Sequence, residues 1–167
     1  MSPVLDSVAA DEARLARLLD TYGVVAGRAD AAAEAQAIAE QLALEMHAYS
    51  VAVRQALFPA LPQPGERRPE DSDALASCEW LAARAAASDL SGPQRDQLVD
   101  QLRQATLQLA AHQRDQLWPQ LQGGDGPALA AQYRAAHEAA RETWKRLRSR
   151  GQPPEDEAAD PVGTPVG

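Results

Sequence analysis

The chain has 167 residues, a formal net charge of -8 and one cysteine, Cys78. That length suits a single domain with a sizeable core. The negative charge argues against nucleic acid or an anionic membrane surface as the partner, and a lone thiol excludes an internal disulfide or a Cys-rich metal site.

Apolar residues make up 45% of the chain and aromatics only 4%. Most of the apolar share is Ala and Leu, which favour helix, so the expected class is all-α. The first helix is predicted from about Pro3 to Val25, with Val8, Leu15, Leu19 and Tyr22 on one face and Gly23 and Gly27 at its end. The second starts near Asp30, a suitable cap, and carries Ile38, Leu42, Tyr49, Val53 and Leu57 before Pro59 stops it. Residues 62–72 are polar and Pro-rich and read as a loop.

A third helix is expected from about Asp73 to Ser88, with Leu75, Trp80 and Leu81. Ser91-Gly92-Pro93 restarts the chain, with Ser91 or Gly92 as the cap. The fourth helix carries Leu98, Leu102, Leu109 and Leu117 and ends at Pro119. After the break Gly123-Gly124-Asp125-Gly126-Pro127, a fifth runs from Ala128 to about Arg150, with Leu129, Tyr133, Trp144 and Leu147. Residues 151–167 hold four prolines, four acidic residues and no basic one, so they read as a disordered acidic tail. The expected organisation is therefore an up-down-up-down four-helix bundle over 1–125, a C-terminal helix packed on it over 126–150, and the tail. The first residues, Met1-Ser2-Pro3-Val4-Leu5-Asp6, lack the basic and apolar regions of a signal peptide, and no apolar run is long enough to span a bilayer. With the single cysteine, this points to a cytoplasmic protein.

Two phrases nearly repeat: Leu-Phe-Pro-Ala-Leu at 57–61 and Leu-Trp-Pro-Gln-Leu sixty residues later, at 117–121. Each closes a long helix. This order of helices and aromatic-Pro ends, over about residues 8–150, resembles the hemerythrin-like family. The resemblance implies a non-haem di-iron centre between four helices, held by one His per helix and by carboxylates one turn after the His on the second and fourth. Counting back from each Pro, the matching positions are Tyr49 and Val53 on the second helix and Leu109 and Gln113 on the fourth. On the first helix Asp11-Glu12 takes the place of the family's Asp-His, and on the third Glu79-Trp80 that of its Glu-His, with Arg84 one turn later. None of the seven is His. Periodicity independently puts Tyr49, Val53, Trp80 and Leu109 on apolar stripes, so bulky groups are expected where a cluster would sit.

The remaining candidates are few. Glu12 and His112 are the fallback metal ligands. Neither His47 nor His112 has a carboxylate four residues on, and His47 is about 200° round the helix from Tyr49, facing away from the centre. His137 reads as a packed or solvent-edge side chain. Glu12 and Arg84 interrupt apolar faces and are candidates for a buried pair between the first and third helices, or for snorkelling to the surface. Cys78 reads as a packing residue, and no catalytic motif stands out. These features imply a hemerythrin-like protein that has lost its di-iron site and acts, without catalysis or cofactor, as a binding or regulatory module. Its partner would be a protein or small molecule, and its state monomer or homodimer. The alternative is a metal-dependent oxygen or redox sensor or carrier with a rearranged iron site.

Overall fold

A computed structural model describes residues 2–62, 69–121 and 126–151 of the chain. Most of the polar loop, the Gly123-Gly124-Asp125 break and the acidic tail expected above lie outside the described residues. Among those described there are five long helices and no strand. They are α1 (Pro3–Ala26), α2 (Ala32–Ala52), α3 (Pro69–Ala85), α4 (Gly92–His112) and α5 (Gly126–Ser149).

Local chemistry explains most of the boundaries. Pro3 opens α1, where its missing N–H costs nothing. Asp30 does not cap α2: it stands one residue ahead of the cap position, which Ala31 holds without a side-chain bond. Helix α3 begins at Pro69, four residues earlier than expected, because Pro suits a first turn and Glu70 and Asp71 suit the positive end of the helix dipole. Ser91 caps α4 reciprocally: Gln94 N donates to Ser91 Oγ at 3.3 Å, and Ser91 N donates to Gln94 Oε1 at 2.9 Å.

The prolines at 59 and 119 do more than stop their helices. Each helix first widens into a π-helical turn, at Val53–Leu57 and at Gln113–Leu117. It then tightens into a 3₁₀ turn that contains the proline, at Phe58–Ala60 and at Trp118–Leu121. Phe58 N donates to Val53 O and Trp118 N to Gln113 O, the i to i−5 pattern in both. A proline has no N–H for residue i−4 and its ring crowds that carbonyl, and widening the turn relieves both problems. The repeated phrase is therefore a repeated backbone conformation.

Helix α2 is the centre. It packs against α1, α3 and α5, while α4 packs on α3 and touches α1, and α5 lies along α1 and α2. Ala39, Leu42, Met46, Ala48, Tyr49, Ala52, Val53 and Leu57 are all nearly or fully buried. Helix α5 starts hard against α1: a Cβ on Gly126 would lie 3.1 Å from Pro3 Cδ, tighter than ordinary contact.

Helix α3 overturns one expectation. Its buried stripe is Asp71, Leu75, Cys78, Ala82 and Ala85. Trp80 lies two residues from both Cys78 and Ala82, about 200° round the helix, and its side chain is 59% exposed rather than inward. Arg84, two residues past Ala82, is likewise exposed.

Sequence periodicity also passed over Arg95, which is buried at the start of α4. Its Nε donates to Ala85 O at 2.9 Å and its Nη2 to Ala87 O at 2.7 Å, so it satisfies carbonyls at the C-terminal end of α3. Arg95→Met keeps the bulk and removes these donors. It is expected to cost about 2–4 kcal/mol, read as a lower urea midpoint at unchanged slope. A midpoint equal to that of the parent chain would show that water serves those carbonyls instead.

Candidate functional site

Tyr49 and Gln113 face each other across the interior, and both are buried. The Tyr49 hydroxyl donates to Gln113 Oε1 at 2.5 Å. Tyr49 lies one turn before the π turn of α2, and Gln113 is the first residue of the π turn that follows α4. Val53 and Leu109, the other two positions matched on these helices, are buried as expected.

Glu12, on α1, completes the group. Its half-buried carboxyl lies within hydrogen-bonding reach of the Tyr49 hydroxyl, and burial raises its pKa above the usual carboxylate value, against the pull of the Arg114 guanidinium. Burial, with the charges of Glu12 and Asp11, likewise holds the Tyr49 phenol well above its ordinary value. The Tyr49 hydroxyl thus stands between an amide oxygen and a carboxyl group.

Those groups do not fit a di-iron centre. Iron favours imidazole and carboxylate donors. Here a phenol and an amide are bonded directly to each other, while Val53 and Leu109 offer no donor atom. Trp80 points outward, and Arg84 pairs with Asp89 at 3.1 Å rather than with Glu12. Of the fallback ligands, His112 Nε2 lies 2.8 Å from Asp71 Oδ1, so it and Glu12 engage different partners. No group of three or more His, Cys, Asp or Glu among the described residues is placed to hold a metal ion. Cys78 is buried, which pushes its thiol pKa up to about 11, so it packs rather than reacts.

A second polar group lies alongside, on the surface where α1, α2 and α5 meet. A cleft of about 580 Å³ opens there. Helix α1 lines it with Ser7, Ala10, Asp11 and Arg14, and α2 with Glu45. Helix α5 contributes Tyr133, His137, Arg141 and Lys145 at four-residue spacing, with Arg134 and Glu138 beside them. Glu45 is buried and is held by Arg141 and by Arg14 Nη1 at 3.5 Å. The Tyr133 hydroxyl donates to Asp11 Oδ2 at 2.7 Å, and burial raises that phenol's pKa far above its ordinary value. His137 is buried, and its Nε2 stands 3.5 Å from Asp11 Oδ2 and 3.9 Å from Glu45 Oε2 without a hydrogen bond to either. His47, expected to face away from the centre, lies against Trp144 of α5, with ring centroids 5.1 Å apart, which ties α2 to α5.

Sequence reasoning named His137 and Asp11 but did not join them, and it missed Glu45, Arg14 and Arg141. Two signals were present: an acid at 45 within the run Leu42, Ala43, Met46, Ala48, Tyr49, and the four-residue ladder on α5. No family model, curated protein or solved structure matches the chain.

Two predictions concern the core cluster. Tyr49→Phe leaves Gln113 Oε1 unpaired and is expected to cost about 1–3 kcal/mol, whereas adding Gln113→Met should recover much of that loss. Strictly additive losses in urea unfolding would mean that the two groups are not coupled. The second is a pH effect at Glu12. Folded Glu12 holds its proton more tightly than unfolded Glu12, so its contribution is fully present below the unfolded value of 4.5 and is lost as pH rises through the higher folded value. Glu12→Gln cannot titrate. Its stability relative to the parent chain should therefore rise between pH 4.5 and pH 8, and parallel stability curves would refute the raised value.

Proposed function

We propose that the chain is a divergent hemerythrin-like bundle that has exchanged its di-iron site for a hydrogen-bonded core and works as a non-catalytic binding or regulatory module. Partner residues support the up-down-up-down topology this requires. Tyr22 meets Asp96 and Arg103 meets Asp20, so α1 and α4 run in opposite senses. Asp71 meets His112 while Ala85 and Ala87 meet Arg95, so α3 and α4 do too. Arg14 meets Glu45 as Glu12 meets Tyr49, which makes α1 and α2 antiparallel.

The observation that carries the loss of the metal is the 2.5 Å bond between Tyr49 and Gln113. It joins two positions that the family resemblance would fill with iron ligands, and it leaves them as a neutral donor and acceptor satisfying each other. With the core closed in this way, the binding surface is the cleft between α1, α2 and α5, where the charged side chains converge. Among the described residues no helix is long and apolar enough to cross a membrane.

The test is metal content. Protein produced in iron-supplemented medium should contain only a trace of iron and lack near-ultraviolet charge-transfer absorption. About two irons per chain with that absorption would overturn the proposal in favour of a rearranged oxygen or redox site.

A further inference from the structure

We infer that the cleft between α1, α2 and α5 binds an elongated dianion, a small organic molecule with a carboxylate or phosphate at each end. The inference rests on the cleft as the binding surface, not on kinship with any family. A volume of about 580 Å³ suits a metabolite-sized ligand.

Charge selects the sign. Four cations, Arg14, Arg134, Arg141 and Lys145, face three carboxylates in the cleft of a chain whose net charge is -8. The carboxylates at its base are already engaged. Glu45 is clamped by Arg141 and Arg14, and Asp11 Oδ2 accepts the Tyr133 hydroxyl. Arg134 and Lys145 form no ion pair among the described residues. A cation entering the cleft would meet guanidinium groups, whereas an anion meets unsatisfied donors.

A buried imidazole, its Nε2 between Asp11 Oδ2 at 3.5 Å and Glu45 Oε2 at 3.9 Å, lines the same cleft. His137 is 7% exposed and lines the cleft, and its Nε2 has no hydrogen-bond partner.

Helix geometry sets the length. Arg134 and Lys145 are eleven residues apart, which places them on one face of α5 with about 16 Å between their backbones. Long side chains narrow that span without closing it, so a single small anion cannot engage both. Lys145 and Arg141, one turn apart, form one end of the site, and Arg134 forms the other. Arg14 Nη1, held by Glu45 only at 3.5 Å and half-exposed, faces the middle.

The experiment is calorimetric titration of the full chain at low ionic strength. The two-ended probes are fructose 1,6-bisphosphate and the α,ω-dicarboxylates from succinate to suberate; the one-ended probes are inorganic phosphate and acetate. At least one two-ended probe should bind roughly tenfold or more tighter than either one-ended probe, with affinity falling as salt rises. Arg134→Gln and Lys145→Gln should each weaken that binding by about tenfold, with unchanged circular dichroism, while Arg84→Gln, remote from the cleft, should have no effect. Equal binding of one-ended and two-ended probes, indifference to both substitutions, or no binding by a folded chain would overturn the inference. Failure here with an iron-free chain removes the ligand class and leaves the binding-module proposal standing. Iron uptake removes that proposal and leaves the titration to decide this one.

Discussion

Helix α2 is buried around most of its circumference, and its position governs what the other helices can do. Ala39, Ala48 and Ala52 are fully covered, and their small side chains let neighbouring helices approach closely. Glu45 is carried into the interior on the same helix. A buried carboxylate without a partner carries a desolvation penalty of several kcal/mol. Helix α5 cannot cover α2 without meeting it, and Arg141 is the residue that meets it. The charged cleft is thus a consequence of placing α2 at the centre.

The two proline-terminated segments share one backbone solution but not one chemistry. Tyr49 corresponds to Leu109 and Val53 to Gln113 in the sixty-residue repeat. Polar and apolar residues are therefore exchanged between the two copies, and one polar residue from each remains. Tyr49 and Gln113 bond to each other, while Val53 and Leu109 pack in the same core. Had both copies kept polar groups at both positions, the interior would hold more donors and acceptors than one hydrogen bond can satisfy. Gln113 Nε2 already lacks a hydrogen-bond partner.

Between core and cleft runs a continuous polar seam. Gln113, Tyr49 and Glu12 form its inner part, and Asp11, Tyr133, His137 and Glu45 its outer part. Asp11 and Glu12 are adjacent on α1, so the two parts share one helical turn. Burial raises the pKa values of the inner phenol and carboxyl, while the outer part includes a clamped carboxylate, with Arg134 and Lys145 beside it forming no ion pair among the described residues. In the proposed function this division separates a core that holds the helices in register from a surface that meets the ligand.

The helices and most of their ends were legible in the sequence. Proline, glycine and a serine cap act within one or two turns of where they stand, and that locality makes them readable. Burial of Tyr49, Val53 and Leu109 was also legible, because each falls on the apolar stripe of its own helix. Trp80 was misread because size stood in for burial. The close neighbours of α3 make Cys78, Ala82 and Ala85 its inner face, and leave the large ring outside. Arg95, the clamp on Glu45 and the pairing of Asp11 with Tyr133 depend on residues ten to more than a hundred positions apart. Helix content, most helix ends and the phase of the apolar faces other than that of α3 were thus determined by the sequence through short-range chemistry. Which face of α3 turned inward, and which charges met in the cleft, only tertiary packing decided, because those outcomes depend on the side chains a neighbouring helix brings.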